Sequence, residues 1–206
     1  MTARKDFLQS LTLGKKSEPT AEYAPSLRSP WRASTDSYGF KGSIEDLHQI
    51  ANAIKETDVT VLQKDFILDE AQIAQAAAHG ANAVLLIVAA LGDKTETLLN
   101  YCKTLGIDAL VEIHDRHELD YAVSIGAEII GVNNRNLSTF EIDIENAARL
   151  KPLIPEHIIA VAESGISSAT IAQRYAKLGY NALLIGETLV KSDDPKQFIN
   201  DIRQIQ

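Results

Sequence analysis

Five short apolar runs in this 206-residue chain end in polar side chains that could do chemistry. Residues 59–62 lead into Gln63-Lys64-Asp65-Phe66, and residues 109–111 into Glu112-Ile113-His114-Asp115. Residues 129–132 are followed by Asn133-Asn134-Arg135-Asn136, residues 158–162 by Glu163-Ser164-Gly165-Ile166, and residues 182–185 by Gly186-Glu187. Glu112 is the acid/base candidate, and Lys64 can serve as a general acid. Arg135 offers a planar fork suited to a carboxylate, and Lys64 adds positive charge for the same kind of group. Glycine at Ser164-Gly165 and at Gly186 lets backbone N–H groups approach a phosphate, helped by a following helix N-terminus. Together these groups describe a pocket for a small molecule with phosphate at one end and carboxylate at the other.

Each cluster also has a plainer reading. A lysine or glutamate ending a strand is often just where the chain meets water. Asn-Asn-Arg-Asn passes as a polar turn, and Ser164 as a helix N-cap. His114 and His117 lie three apart, but no third His or Cys stands at ligand spacing, so a metal site is not expected. Coincidence favours the functional reading, because five of six runs end in groups suited to one job.

The elements that position these groups follow from the same runs. A sixth run, 83–88, completes a series whose starts are separated by 20 to 29 residues. The runs do not alternate apolar with polar, which suits strands buried on both faces. Helical patterns lie between them at 70–79, 94–105, 116–125 and 169–178, each followed by a glycine: Gly80, Gly106, Gly126 and Gly179. Glycine there fits a left-handed helix cap. A strand–helix repeat of this length implies parallel strands with helical crossovers, either a doubly wound sheet or a closed (β/α)8 TIM barrel. No Gly-x-Gly-x-x-Gly follows a strand, and polar groups end many strands, as they do round a barrel mouth, so the barrel is preferred. Only six strands are clear; an open barrel of this kind leaves two long apolar strand edges.

Residues 1–34 have a different texture, with three of the six prolines and no strand pattern, and are expected to form a poorly packed arm before a barrel domain at 35–206. The net charge of −8 disfavours a nucleic-acid surface. One cysteine excludes an internal disulfide, and no run approaches membrane-spanning length. A soluble cytoplasmic protein, monomeric or weakly homodimeric, is the expectation.

Seven motifs in this order, Thr35-Asp-Ser-Tyr-Gly-Phe-Lys-Gly-Ser43, Lys64-Asp-Phe-Ile-Leu-Asp69, Ala83-Val-Leu-Leu-Ile-Val88, Leu110-Val-Glu-Ile-His-Asp115, Gly131-Val-Asn-Asn-Arg-Asn-Leu137, Ala162-Glu-Ser-Gly-Ile166 and Ile185-Gly-Glu187, resemble the indole-3-glycerol phosphate synthase family. The resemblance implies a phosphate-binding TIM barrel with no metal or organic cofactor. It also implies closure of the pyrrole ring of 1-(2-carboxyphenylamino)-1-deoxyribulose 5-phosphate, with loss of CO2 and water, in tryptophan biosynthesis. By the matching motifs, Lys64 would be the general acid that activates the ribulose carbonyl. Glu112 would move protons during dehydration, with Asn133 orienting it or the substrate hydroxyls. Arg135 would face the anthranilate carboxylate, Glu163, Ser164 and Glu187 would line the site, and the backbone near Gly165 and Gly186 would hold phosphate.

The chain departs from the family at one place. The family's first strand carries Glu-x-Lys-x-x-Ser-Pro-Ser, with a catalytic glutamate, a catalytic lysine and a phosphate-binding serine. Aligned on Ser29-Pro30, this chain has Ala24 and Ser26 at the acid and lysine positions. The expectation is a segment of about two strands and one helix missing. That leaves a weakened synthase, a truncated homologue inactive alone, or a non-catalytic binder of phosphorylated ligands. Phosphoribosylanthranilate isomerase, the other phosphate-handling barrel considered, needs a cysteine–aspartate pair, and Cys102 lies in a helical pattern.

Overall fold

A computed structural model describes residues 42–203; the arm at 1–34 and the motif at 35–41 lie outside the described residues. Six strands run β1 (Leu62–Gln63), β2 (Ala83–Ile87), β3 (Asp108–Ile113), β4 (Ile129–Asn133), β5 (Ile159–Glu163) and β6 (Ala182–Leu184). β1 and β2 are neighbours, as are β3 and β4, β4 and β5, and β5 and β6. Between and after them lie the helices α1 (Ile44–Ala53), α2 (Glu70–Ala78), α3 (Val88–Leu91), α4 (Lys94–Leu105), α5 (Arg116–Ser124), α6 (Glu145–Leu150), α7 (Ala169–Lys177), α8 (Glu187–Lys191) and α9 (Pro195–Arg203). Their contacts fall into two units, one ending at Leu85 and including Tyr101–Asp108, the other comprising Leu86–Asn100 and the chain from Ala109 onward.

In the first unit, β1 pairs in parallel with β2 through Leu62↔Ala83 and Gln63↔Val84. The strand expected at 59–62 contracts to two residues. Val59 is 58% exposed, and the Val61 amide donates instead to the Asn82 side chain at 2.8 Å. α2 starts at Asp69, whose carboxylate accepts from Ala71 and Gln72 while Gln72 reaches back, a reciprocal cap that satisfies otherwise orphaned N–H groups. Leu47, Ile67, Ile73 and Leu85 form the buried apolar interior. Cys102 is buried on α4, and burial pushes its thiol up to about 12, which unfits it for acid/base work near neutrality.

In the second unit, β3, β4, β5 and β6 pair in parallel, each with the next. All five residues of β4 are buried, as expected for a strand covered on both faces. Val88 does not extend β2 but opens α3, and the apolar run turns helical there with Val88 and Leu91 buried. Helix ends follow the expectation: Gly80, Gly106, Gly126 and Gly179 all have φ between 69° and 90°. The Asn181 side chain accepts from the Ala160 amide at 2.8 Å, repeating ahead of β6 what Asn82 does ahead of β2. The strands at the two ends of the sheet are two and three residues long, so the long apolar edges expected for an open barrel are absent among the described residues.

Candidate active site

Register decides which side chains share a face. Glu112 pairs with Gly131, and Asn133 with Glu163. Side chains alternate along a strand, so Leu110 and Glu112 project to the same side as Gly131, Asn133, Val161 and Glu163. Both glutamates are 1% exposed, and Asn133 is buried. Asn133 Nδ2 donates to Glu112 Oε1 at 2.9 Å, and Asn133 Oδ1 accepts from the Arg135 amide at 2.9 Å. One amide therefore orients the carboxylate and the start of the following loop together. Gly131 makes room beside them, since a methyl there would collide with the Glu163 carboxylate and come within 3.2 Å of Leu110 Cδ1.

His114 adds a second contact to Glu112. Its Nε2 lies 3.3 Å from Glu112 Oε1 and its Nδ1 3.2 Å from Glu118 Oε2, which also accepts the His114 amide at 2.6 Å. Burial disfavours the charged ring, but the neighbouring Glu112 and Glu118 carboxylates outweigh it and lift His114 from 6.5 to about 9. The imidazole is thus a cation between two carboxylates. His117 is exposed, and among the described residues no group of three His, Cys, Asp or Glu could hold a metal ion.

Asn134 is structural. Its amide donates to the Glu163 carbonyl at 2.9 Å, its Nδ2 to the Ser164 carbonyl and Tyr175 Oη at 2.9 Å each, and its Oδ1 accepts from the Ala147 amide at 3.0 Å. It pins the loop after β4 to the end of β5 and to α6. Tyr175 Oη in turn donates to the Ile144 carbonyl at 2.8 Å.

Arg135 Nη2 donates to Glu187 Oε2 at 2.9 Å and Nη1 to the Phe140 carbonyl at 3.3 Å. Lys191 also binds Glu187 at 2.6 Å and is the main reason its carboxyl lies below the usual range, Arg135 adding less. Ser164 and Gly165 both have positive φ, 63° and 73°, so two consecutive left-handed residues shape the loop after β5. A Cβ on Gly165 would lie 2.6 Å from Ile142 Cγ2. Ser164 is not the N-cap of α7, a role taken by Ser168, and the helix starts at Ala169 as its pattern predicts. Gly186 caps the five-residue α8, and Thr188 Oγ1 donates to the Ile166 carbonyl at 2.9 Å, tying this loop to the one after β5.

Of the residues expected from sequence, Glu112, Asn133, Arg135, Glu163, Ser164, Gly165, Gly186 and Glu187 all lie in the second unit at strand ends or the loops after them. Lys64 belongs to the first unit, half-buried just after β1 between buried Gln63 and Asp65. Sequence reasoning missed the roles of His114, Glu118, Asn134 and Gly131. A His followed four residues later by Glu across a helix start was a usable signal for the first two.

Known proteins supply an independent line of comparison. The pattern of the family described as indole-3-glycerol phosphate synthase matches residues 32–202. The indole-3-glycerol phosphate synthase of Koribacter versatilis is 45% identical over 169 residues, covering 82% of this chain and 64% of that protein. That of Kineococcus radiotolerans is 44% identical over 169 residues, covering 82% and 61%. The multifunctional tryptophan biosynthesis protein of Schizosaccharomyces pombe is 40% identical over 171 residues, covering 82% and 22%. The chain thus spans less than two thirds of the length of these relatives. Among solved structures, 3-hexulose-6-phosphate synthase from Salmonella typhimurium superimposes with a TM-score of 0.67 at 16% identity, covering 80% of each chain. That likeness, with the sequential parallel strands, shows a fold of the (β/α) TIM-barrel type. Strand-end glutamates on one face of the sheet, the Asn-Asn-Arg loop and a family match over 171 consecutive residues (32–202) agree, and the chain belongs to the indole-3-glycerol phosphate synthase family.

Proposed function

We propose that the chain carries the ring-closing chemistry of its family, converting 1-(2-carboxyphenylamino)-1-deoxyribulose 5-phosphate to indole-3-glycerol phosphate with loss of CO2 and water. The observation that carries this reading is the buried 2.9 Å hydrogen bond from Asn133 to Glu112, which holds a carboxylate in one orientation at a strand end. Lys64 protonates the ribulose carbonyl oxygen as the aromatic ring carbon attacks. Glu112 takes and returns the protons that allow water to leave, while Asn133 fixes its orientation. Arg135 exchanges Glu187 for the substrate carboxylate, and backbone N–H groups near Gly165 and Gly186 receive the phosphate. Glu163 and Ser164 complete the lining. The reading includes a cytoplasmic enzyme, monomeric or weakly homodimeric, that uses no metal or organic cofactor.

The test is formation of indole-3-glycerol phosphate by the purified chain. The expected result is turnover that Lys64→Ala lowers by about 10²–10⁴-fold with the melting temperature unchanged. Calorimetric binding of the substrate without turnover, under conditions where a full-length relative is active, would replace this reading with that of a ligand binder.

A further inference from the structure

We propose that His114 is a positioning residue for Glu112: a half-buried counter-ion, itself fixed by Glu118, that keeps the Glu112 carboxylate ionised and aimed at its partner atoms. The inference rests on reading Glu112 as the acid/base group of the site.

The geometry has three parts. First, Asn133 Nδ2 donates a hydrogen bond to Glu112 Oε1 at 2.9 Å, and His114 Nε2 lies within ion-pair distance of the same oxygen at 3.3 Å, so a hydrogen bond and an ionic contact converge on it. Second, the far side of the ring is anchored. Glu118 stands at the third position of α5, where a capping glutamate usually returns to the N-cap amide. Here it reaches one residue further back, accepting both the His114 amide and Nδ1, while Asp115 caps the helix in its place. Third, the backbone beneath the ring is held by α6, since Asn146 Nδ2 donates to the His114 carbonyl at 2.9 Å and to the Asn133 carbonyl at 3.2 Å. One asparagine therefore sets the spacing of the two strand ends that bear His114 and Asn133.

The charged groups around the ring are Glu112 on β3 and Glu118 on α5; the contact from α6, Asn146, is neutral. Glu163 pairs in register with Asn133 rather than with Glu112. A ring between two carboxylates binds a proton tightly, and Nδ1–H donates to Glu118 while Nε2–H faces Glu112. This differs from a triad histidine, which relays a proton. Here the ring supplies fixed positive charge, and the proton traffic belongs to Glu112.

Two nuclear magnetic resonance titrations of the full chain test this without needing turnover. In wild type the His114 ring should remain protonated through pH 7.5, and Glu118→Gln should lower its titration midpoint by at least one pH unit. In His114→Gln the Glu112 carboxyl midpoint should rise by at least one pH unit, while Asn133 and Glu163 signals report an intact fold. If the chain turns over, His114→Gln should lower kcat at least ~10-fold at pH 6.5, leave KM within ~3-fold, and move the acid limb of the rate profile upward. A wild-type His114 ring that loses its proton below pH 7.5, or a Glu112 midpoint unmoved in a folded His114→Gln, would overturn the proposal. Absent turnover with both titration shifts present would sink the synthase reading and leave the counter-ion role standing.

Discussion

In the first unit, the strand that leads to Lys64 is two residues long, its approach at Val59 is 58% exposed, and Phe66 and Leu68 beyond it are 45% and 52% exposed. In the second unit, β4 leads to Asn133 through five buried residues, each with a register partner on β5. The two regions carry their polar strand ends in opposite ways. Lys64 follows a two-residue strand, half-buried between buried Gln63 and Asp65, whereas Glu112, Asn133 and Asn134 stand at the ends of longer, fully covered strands with hydrogen bonds among themselves and their neighbours. The contacts to the Glu112 carboxylate from Asn133 and His114 lie within the second unit.

Substitutions can break or sharpen this contrast. The largest stability effect is expected at Asn134→Ala, which strands the Ala147 amide, removes the donor to Tyr175 Oη and frees the Ser164 carbonyl. Loss of about 3–4 kcal/mol is expected as a lower urea midpoint, against a change within about 0.5 kcal/mol for Lys64→Ala in the first unit. Equal effects would erase the contrast.

Next comes pH. Burial disfavours the His114 cation, but Glu112 and Glu118 lift it from 6.5 to about 9. Its folded value thus exceeds its unfolded value, so its contribution is whole below about pH 6.5 and is lost as pH rises through about 9. Denaturation series at pH 6 and 9.5 should differ by on the order of 2–3 kcal/mol in wild type and by much less in His114→Gln. A wild-type curve parallel to that of the variant would count against the charged clamp.

The smallest effect compares one change in both regions. Val132→Thr buries a hydroxyl at a fully buried site of β4 and should cost about 1–3 kcal/mol. Val59→Thr, ahead of β1, should stay within about 0.5 kcal/mol. Thermal melts of the pair decide whether the first strand is as lightly packed as its exposure indicates.

Much of the fold was legible because strands buried on both faces must be apolar without alternation. The runs at 109–113 and 129–132 became β3 and β4 with one residue added to each, and α4 has the bounds that its pattern predicts. Short helices escaped for physical reasons. α6 is six residues long with no side-chain cap, and α3 continues an apolar run that reads as strand. α1 did leave a signal, the reciprocal cap of Ser43 and Asp46. At the site, Glu112, Asn133 and Arg135 were legible as polar groups ending apolar runs. Asn134 was not, because its side-chain partners at Ser164 and Tyr175 lie 30 and 41 residues away in sequence. Nor did sequence show that Arg135 would be engaged by Glu187, 52 residues on.

The central claim is that the second unit holds an oriented carboxylate that moves protons for ring closure. Turnover by Glu112→Gln beside wild type tests it most directly, since glutamine keeps the size and the Asn133 contact while removing the base. The account predicts product from wild type and at least ~100-fold less from Glu112→Gln, with substrate binding and melting temperature retained. Equal turnover by the two proteins would contradict it.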